Sequence, residues 1–463
     1  METAGVLPTQ ILDRFIERCP AVVMVRATLE RLLRPDRLDR IFEAAKQRQY
    51  TKRLLFSQVV AIMAAVATRT HRSVHAAYLD VRGRLEVSVT ALYDKLSLLE
   101  LGISEAVIRE TAADAAEVID AMPVAKKAVL PGFEVFYLDG NHLSSTEHRL
   151  ADLRATREGP LPGQSLALLD AQRDLIVDLV ACEDGHAQER SMPPELLERI
   201  RAATAIVADR NFCTSQFLFG LAGRGAYFVI RQHGSTLTWQ LRGRRRRIGR
   251  IATGMAFEQG VQLHFRAATL AVRRVTLCLD RPTESGDTEI HILTNLAAEQ
   301  ATAQQVAVTY GTRWTVEGAF QTLTDVLRCE VETLGYPRAA LFSFAVAVLA
   351  YNTYAVVQAA LRAAHGAEVI REKLSDYHLM SDVAATYVGM DIAVPEECWG
   401  PYRAMAVSGF ATALTELAHR VKLARYPKKR RGPKKPRPRK KSGRRNHHIS
   451  TARLLLKRRK KAP

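Results

Sequence analysis

Three carboxylates stand out by the residues around them. Asp139 closes the run Phe-Tyr-Leu-Asp-Gly-Asn-His, Asp209 closes Ile-Val-Ala-Asp-Arg-Asn-Phe, and Glu317 lies in Tyr-Gly-Thr-Arg-Trp-Thr-Val-Glu-Gly-Ala-Phe. Singly, each has a plain reading: Asp-Gly marks a hairpin turn, an aspartate after a strand caps the next element, and a helical glutamate faces solvent. Together they match one chemistry. Exchanging a phosphodiester needs an activated oxygen nucleophile, a stabilised phosphorus centre and a stabilised leaving oxygen. Two magnesium ions about 4 Å apart supply the first and the last. Magnesium takes hard oxygen ligands and keeps several waters, so a few carboxylates on rigid elements suffice. The expected cofactor is therefore a pair of Mg2+ ions, with Mn2+ able to substitute, held by Asp139, Asp209 and Glu317.

The neighbouring cations fit the same chemistry. Tyr310, Arg313 and Glu317 are spaced i, i+3 and i+7, which puts them on one stripe of a helix. A carboxylate for metal and an arginine for phosphate make sense there, with Tyr310 packing or hydrogen bonding beside them. Arg210, directly after Asp209, is placed to serve the same phosphate. Arg242, Arg244, Arg245, Arg246, Arg247 and Arg250 read as a basic hairpin tip; six arginines in nine positions favour phosphate contact over a merely solvated turn. His142, His148 and His186 lack the spacing of zinc ligands. No Gly-x4-Gly-Lys-Ser/Thr loop for nucleoside phosphates occurs.

The elements that must position these residues follow from the texture of the chain. A length of 463 residues suggests about three domains, and 47% hydrophobic residues suffice for a sizeable core. Residues 1–130 read as a helical N-terminal domain, with Ser88 capping a helix through Leu92, Leu96 and Leu99. Arginines between its helices leave open a helix-turn-helix for DNA or a bland bundle. Residues 131–235 turn to strands: Phe133–Leu138, Ser165–Leu169, Leu175–Ala181, Ala205–Ala208 and Ala226–Arg231, with a helix over 194–203. Residues 236–296 read as a β-rich insertion. Helices resume across 297–365, and 366–425 form a helical annex. The apolar stretch from Ala339 to Leu361 is long enough to cross a bilayer. Ser343, Asn352, Thr353 and Gln358 interrupt it, so a buried core helix is expected and no membrane partner.

Charge is concentrated at one end. The net charge is +19, and residues 426–463 carry 18 Lys or Arg with no Asp or Glu. The body is near neutral and the tail is a polycation, expected to be disordered alone and to bind a polyanion. The six cysteines form no C-x-x-C pair, which fits a reducing, cytoplasmic setting.

These motifs resemble the DDE transposases of bacterial insertion sequences, in the insertion-sequence-four branch marked by Tyr-x2-Arg-x3-Glu-x6-Lys. Tyr310, Arg313 and Glu317 match at that spacing, and Asp139 and Asp209 lie in matching strand-end contexts. The resemblance spans roughly Phe133 to Leu361. It implies an α/β protein: a ribonuclease H-like catalytic domain interrupted by an all-β insertion before the glutamate helix, here with a helical N-terminal domain and a basic disordered C-terminal tail. It also implies a transposase that hydrolyses the phosphodiester at transposon ends and transfers the freed 3′-hydroxyl into target DNA. A homodimer would pair two ends in a synaptic complex, associated with the bacterial nucleoid. The alternatives are a metal-dependent nuclease that cuts without joining and an inactive DNA-binding derivative. The sequence departs from the signature at Thr324, where the lysine would fall. On an ideal helix Thr324 lies about 10 Å beyond Glu317, and Arg328 about 16 Å, within about 20° of the same face. Arg328 is therefore a candidate to replace the missing cation at the phosphate, the alternative being a surface ion pair with Asp325 or Glu332 at i−3 and i+4.

Overall fold

The computed structural model describes residues 8–51, 53–123, 128–143, 145–283, 286–327, 331–429 and 448–460. Seven helices come first: α1 (Pro8–Arg18), α2 (Pro20–Leu32), α3 (Pro35–Ala45), α4 (Phe56–Ala67), α5 (Val74–Val81), α6 (Val89–Leu98) and α7 (Leu101–Asp120). Ser88 caps α6 by accepting the Ala91 amide at 3.2 Å.

The middle of the chain is built on strands β1 (Glu134–His142), β2 (Gly159–Leu161), β3 (Gln164–Asp170), β4 (Leu175–Cys182), β5 (Thr204–Ala208), β6 (Tyr227–Arg231), β7 (Thr238–Ile251), β8 (Gly254–Phe265), β9 (Ala268–Leu279) and β10 (Glu289–Thr294). Short helices α8 (Ala151–Arg154), α9 (Pro193–Leu197) and α10 (Ser215–Gly223) lie between them. Nine of the strands form one sheet in the order β4-β3-β1-β5-β6-β10-β9-β8-β7. Here β1, β5 and β6 run parallel, while β3 and β4 are antiparallel to their neighbours. The β-rich stretch does not fold apart: β10 pairs antiparallel with β6, so β7 to β10 prolong the same sheet.

Strand alternation sorts the side chains between two cores. Val135, Tyr137, Ala205 and Val207 face one cluster, shared with helices α11 (Ala303–Gly311) and α12 (Trp314–Gln321). Leu138, Ile206, Ala208 and Ile230 face the other, against Phe212, Phe217 and Leu221.

Helix α13 (Pro337–His365) is long and apolar enough to cross a membrane, but 94% of its apolar window is buried inside the protein. Its polar residues are there for partners. Asn352 is fully buried, donating to the Ile176 carbonyl and accepting the Ile176 amide, both at 2.9 Å. Glu105 of α7 likewise accepts the Ala181 amide at 3.0 Å. Two helical side chains thus satisfy the outer backbone of β4, an edge strand that would otherwise be open to pairing with another chain. The helices α14 (Ala367–Lys373), α15 (Asp376–Ala393), α16 (Gly400–Ala404) and α17 (Val407–His419) complete this side.

The expectation of a tail disordered throughout needs correction. Residues 430–447 lie outside the described residues, but strand β11 (His448–Ser450) pairs in parallel with β2, and helix α18 (Thr451–Arg459) follows it. The segment His-Ile-Ser-Thr-Ala-Arg-Leu-Leu-Leu is the one apolar interval in the basic tail, and the short β2 offers it a free edge. Ser450 and Thr451 are buried there, and Arg458 pairs with Asp152 of α8.

Candidate active site

Asp139 and Asp209 are brought together by strand register. Parallel pairing of β1 with β5 sets Leu138 opposite Ala208, so the next residues on both strands are the two aspartates. Adjacent strands lie about 4.8 Å apart, and the two-residue alternation turns both carboxylates towards the face covered by α11 and α12. Asp139 does not end its strand, as its Asp-Gly sequence had suggested. It lies just past the parallel pairing, which stops at Leu138, while β1 continues against β3 to His142. Asp209 caps the 3-10 turn Arg210–Phe212 by accepting the Asn211 amide at 2.7 Å.

The third carboxylate arrives on α12. Tyr310, Arg313 and Glu317 do not share one unbroken α-helix: α11 ends at Gly311, α12 begins at Trp314, and i to i+3 bonds tighten the join, such as Val316 N to Arg313 O at 3.2 Å. The three side chains still meet. Tyr137 of β1 anchors the join by donating to Thr312 Oγ1 at 2.7 Å. Arg313, its side chain only 8% exposed, donates to Asp139 Oδ2 at 3.0 Å and to Glu317 Oε1 at 3.1 Å. Burial and the adjoining Arg313 charge act on the Tyr310 hydroxyl in opposite directions, and burial prevails, raising its pKa.

Charge balance at this centre is short of cations. Burial pushes the Asp139 carboxyl up to about 7; Arg313 opposes the shift, and the carboxylates of Asp209 and Glu317 add to it. An all-oxygen donor set with excess negative charge fits a hard divalent cation. Arg313 nevertheless occupies the place between Asp139 and Glu317. Among the described residues no three metal-ligating side chains are close enough together to hold an ion. The donor chemistry fits magnesium, and the observed spacing is closed around the guanidinium.

A fourth acid adjoins the centre. Glu189, in the 3-10 turn Glu189–Ser191, accepts from Asn211 Nδ2 at 3.1 Å and lies against Gly140. The sequence reading missed it. A glycine inside a strand signals close approach by another group, and Gly140 carried that signal.

The remaining basic residues are placed as follows. Arg210 is exposed beside Asp209. Arg244, Arg245, Arg246 and Arg247 are not at a hairpin tip but within β7, the last strand of the sheet, where the register with β8 shifts. The turn lies further on, between Ile251 and Gly254. Arg245 reaches Glu289 at 3.2 Å and Arg246 reaches Glu258 at 2.8 Å, while Arg244 is exposed. The ideal-helix geometry past Glu317 also fails. Thr322–Leu327 is a π-helical stretch, which turns less per residue than an α-helix, and Thr324 bonds locally to the Gln321 carbonyl at 3.2 Å. Arg328 lies outside the described residues.

Residues 163–353 match the transposase DDE domain family. The match covers Asp209 and Glu317 and begins after the strand that carries Asp139. Among solved structures the chain is similar to the piggyBac transposase synaptic complex with hairpin DNA, at 10% identity and a TM-score of 0.38, over 84% of this chain and 86% of that one. No curated protein matches the sequence.

Proposed function

We propose that this protein is a DNA transposase whose active site is formed by Asp139, Asp209 and Glu317. The observation that carries the reading is that Arg313 joins Asp139 to the helical Glu317 while strand register sets Asp209 next to Asp139, within and beside the stretch that matches the transposase DDE domain. The strand order β4-β3-β1-β5-β6, three antiparallel strands followed by two parallel ones, supports a ribonuclease H-like catalytic core prolonged by β7 to β10. The basic tail and the arginines of β7 support a DNA partner. Pairing two transposon ends calls for a homodimer.

Asp139, Asp209 and Glu317 would hold two magnesium ions, for which manganese can stand in. When bound, the ions supply charge stabilisation to the attacking and leaving oxygens of a phosphodiester. Arg313, held between Asp139 and Glu317 with Tyr310 beside it, would offer its guanidinium to a phosphate oxygen at this centre. Arg210 is exposed on the same rim for the neighbouring phosphate. The buried walls of β1 and β5 keep the aspartates fixed, which is what an in-line displacement requires.

The test is cleavage and joining. DNA carrying the inverted repeats that flank the coding region should be nicked in a metal-dependent way, and the 3′-hydroxyl should appear joined to a second duplex. Asp209→Asn and Glu317→Gln should abolish both while melting near the wild-type temperature. Nicking without any joined product would leave a nuclease in place of a transposase. Full cleavage by either variant would remove that residue from the site.

A further inference from the structure

The loop from β4 to Glu189 is held at both ends by groups with no other evident duty. Gln164 Nε2 donates to the carbonyls of Asp184 at 3.2 Å and Ala187 at 2.6 Å, which fixes the loop backbone against β3. From the C-terminal segment, Ser450 Oγ and Arg453 Nε each donate to the Asp184 carboxylate at 2.7 Å. Arg453 Nη2 also donates to the His186 carbonyl at 3.3 Å. The loop therefore rests on residues contributed by the end of the chain, more than 260 positions away.

At its far end the loop delivers Glu189 to the candidate site. A Cβ on Gly140 would fall 2.4 Å from Glu189 Oε1, so a larger residue there would push the carboxylate out of its present place. The other oxygen accepts from Asn211, two residues past Asp209. One carboxylate thus spans from the strand carrying the first aspartate to the turn carrying the second.

We infer that Glu189 is a positioning residue that locks the Asp209 turn against β1, and that the docked C-terminal segment holds Glu189 in place through Asp184. The inference rests on the reading of Asp139 and Asp209 as catalytic carboxylates. It gives the tail a second role besides its charge: when β11 and α18 leave β2, the loop loses two of its anchors, and the relative placement of the two aspartates loosens. A displacement on the order of 1 Å in such a site can cost about a hundredfold in rate.

The experiment uses the full-length protein with two readouts, DNA nicking kinetics and amide hydrogen exchange. Glu189→Ala should lower kcat by about tenfold to a hundredfold with an unchanged KM for DNA. Glu189→Gln, which keeps an acceptor for Asn211, should retain most of the rate. Arg453→Met should lower kcat in the same manner, and adding it to Glu189→Ala should cost nothing further, because both act through one link. Arg453→Met should also speed exchange in residues 183–191 and 209–212 and leave α13 unchanged. Wild-type kcat and exchange in Arg453→Met, multiplicative effects in the double variant, or Glu189→Gln as damaging as Glu189→Ala would overturn the inference. A wild-type protein that never nicks DNA would instead overturn the active-site reading. The exchange comparison would still decide whether the tail orders the loop.

Discussion

Replacing Asp139 by asparagine should stabilise the metal-free protein at high pH, although it removes one half of a buried ion pair. Burial, opposed by Arg313 and reinforced by Asp209 and Glu317, moves this carboxyl from 3.8 to about 7 in the folded chain. A folded-state value above the unfolded one means stability that is complete in acid, below about pH 4, and is lost as the pH rises through 7. At 1.36 kcal/mol per unit, the shift of about three units corresponds to about 4 kcal/mol lost by pH 8. Roughly two-thirds of that loss is already recovered at pH 5, leaving a cost of about 1.5 kcal/mol. Asparagine is neutral throughout and leaves Arg313 its bond to Glu317. With EDTA present, Asp139→Asn should therefore melt above wild type at pH 8, and the gap should shrink to less than half by pH 5. Differential scanning fluorimetry across that range measures it. A variant melting below wild type at pH 8, with the deficit closing towards acid, would show that the bond to Arg313 outweighs desolvation and would refute the reasoning.

The converse change should do the opposite: Arg313→Met strands two carboxylates and should destabilise by about 3 kcal/mol at pH 8, less at pH 5, read in the same melting assay. Deleting residues 426–463 should flatten the salt dependence of non-specific DNA binding, each lost phosphate contact removing about 0.9 from the log–log slope. Because β11 and α18 dock on β2 and α8, that deletion should also lower the melting temperature, which a merely solvated tail would not do. Arg244→Ala with Arg247→Ala should weaken DNA binding and reduce the slope by about 1.8 if both meet phosphates. Arg246→Ala should instead lower stability, since Arg246 is bonded to the buried Glu258.

Local pattern determined much of this protein. Alternating apolar runs ending at Asp139 and Asp209 marked two strands. The Tyr310, Arg313, Glu317 spacing brought three side chains to one neighbourhood even though the helix breaks between them. The polar residues of α13 marked it as a core helix, because a buried asparagine needs partners that lipid cannot offer. Each of these signals is short in range and repeats with the period of its own element.

Tertiary structure decided what depends on distant segments meeting. Asp139 does not end its strand because β3 goes on pairing with β1 to His142 after β5 has stopped at Ala208, a matter of register between strands distant in sequence. The arginines of 242–250 read as a tip because glycine and charge mark turns, yet bulged pairing with β8 carries the strand through them. The ideal-helix placement of Thr324 failed because the helix loosens into a π stretch after Gln321. The tail's apolar interval is too short to fold alone and gains order from the open edge of β2 and from bonds to Asp184 and Asp152. Glu189 had no motif of its own. Its place over Gly140 exists because a loop and the far end of the chain, neither periodic, are held together by hydrogen bonds that no local pattern encodes.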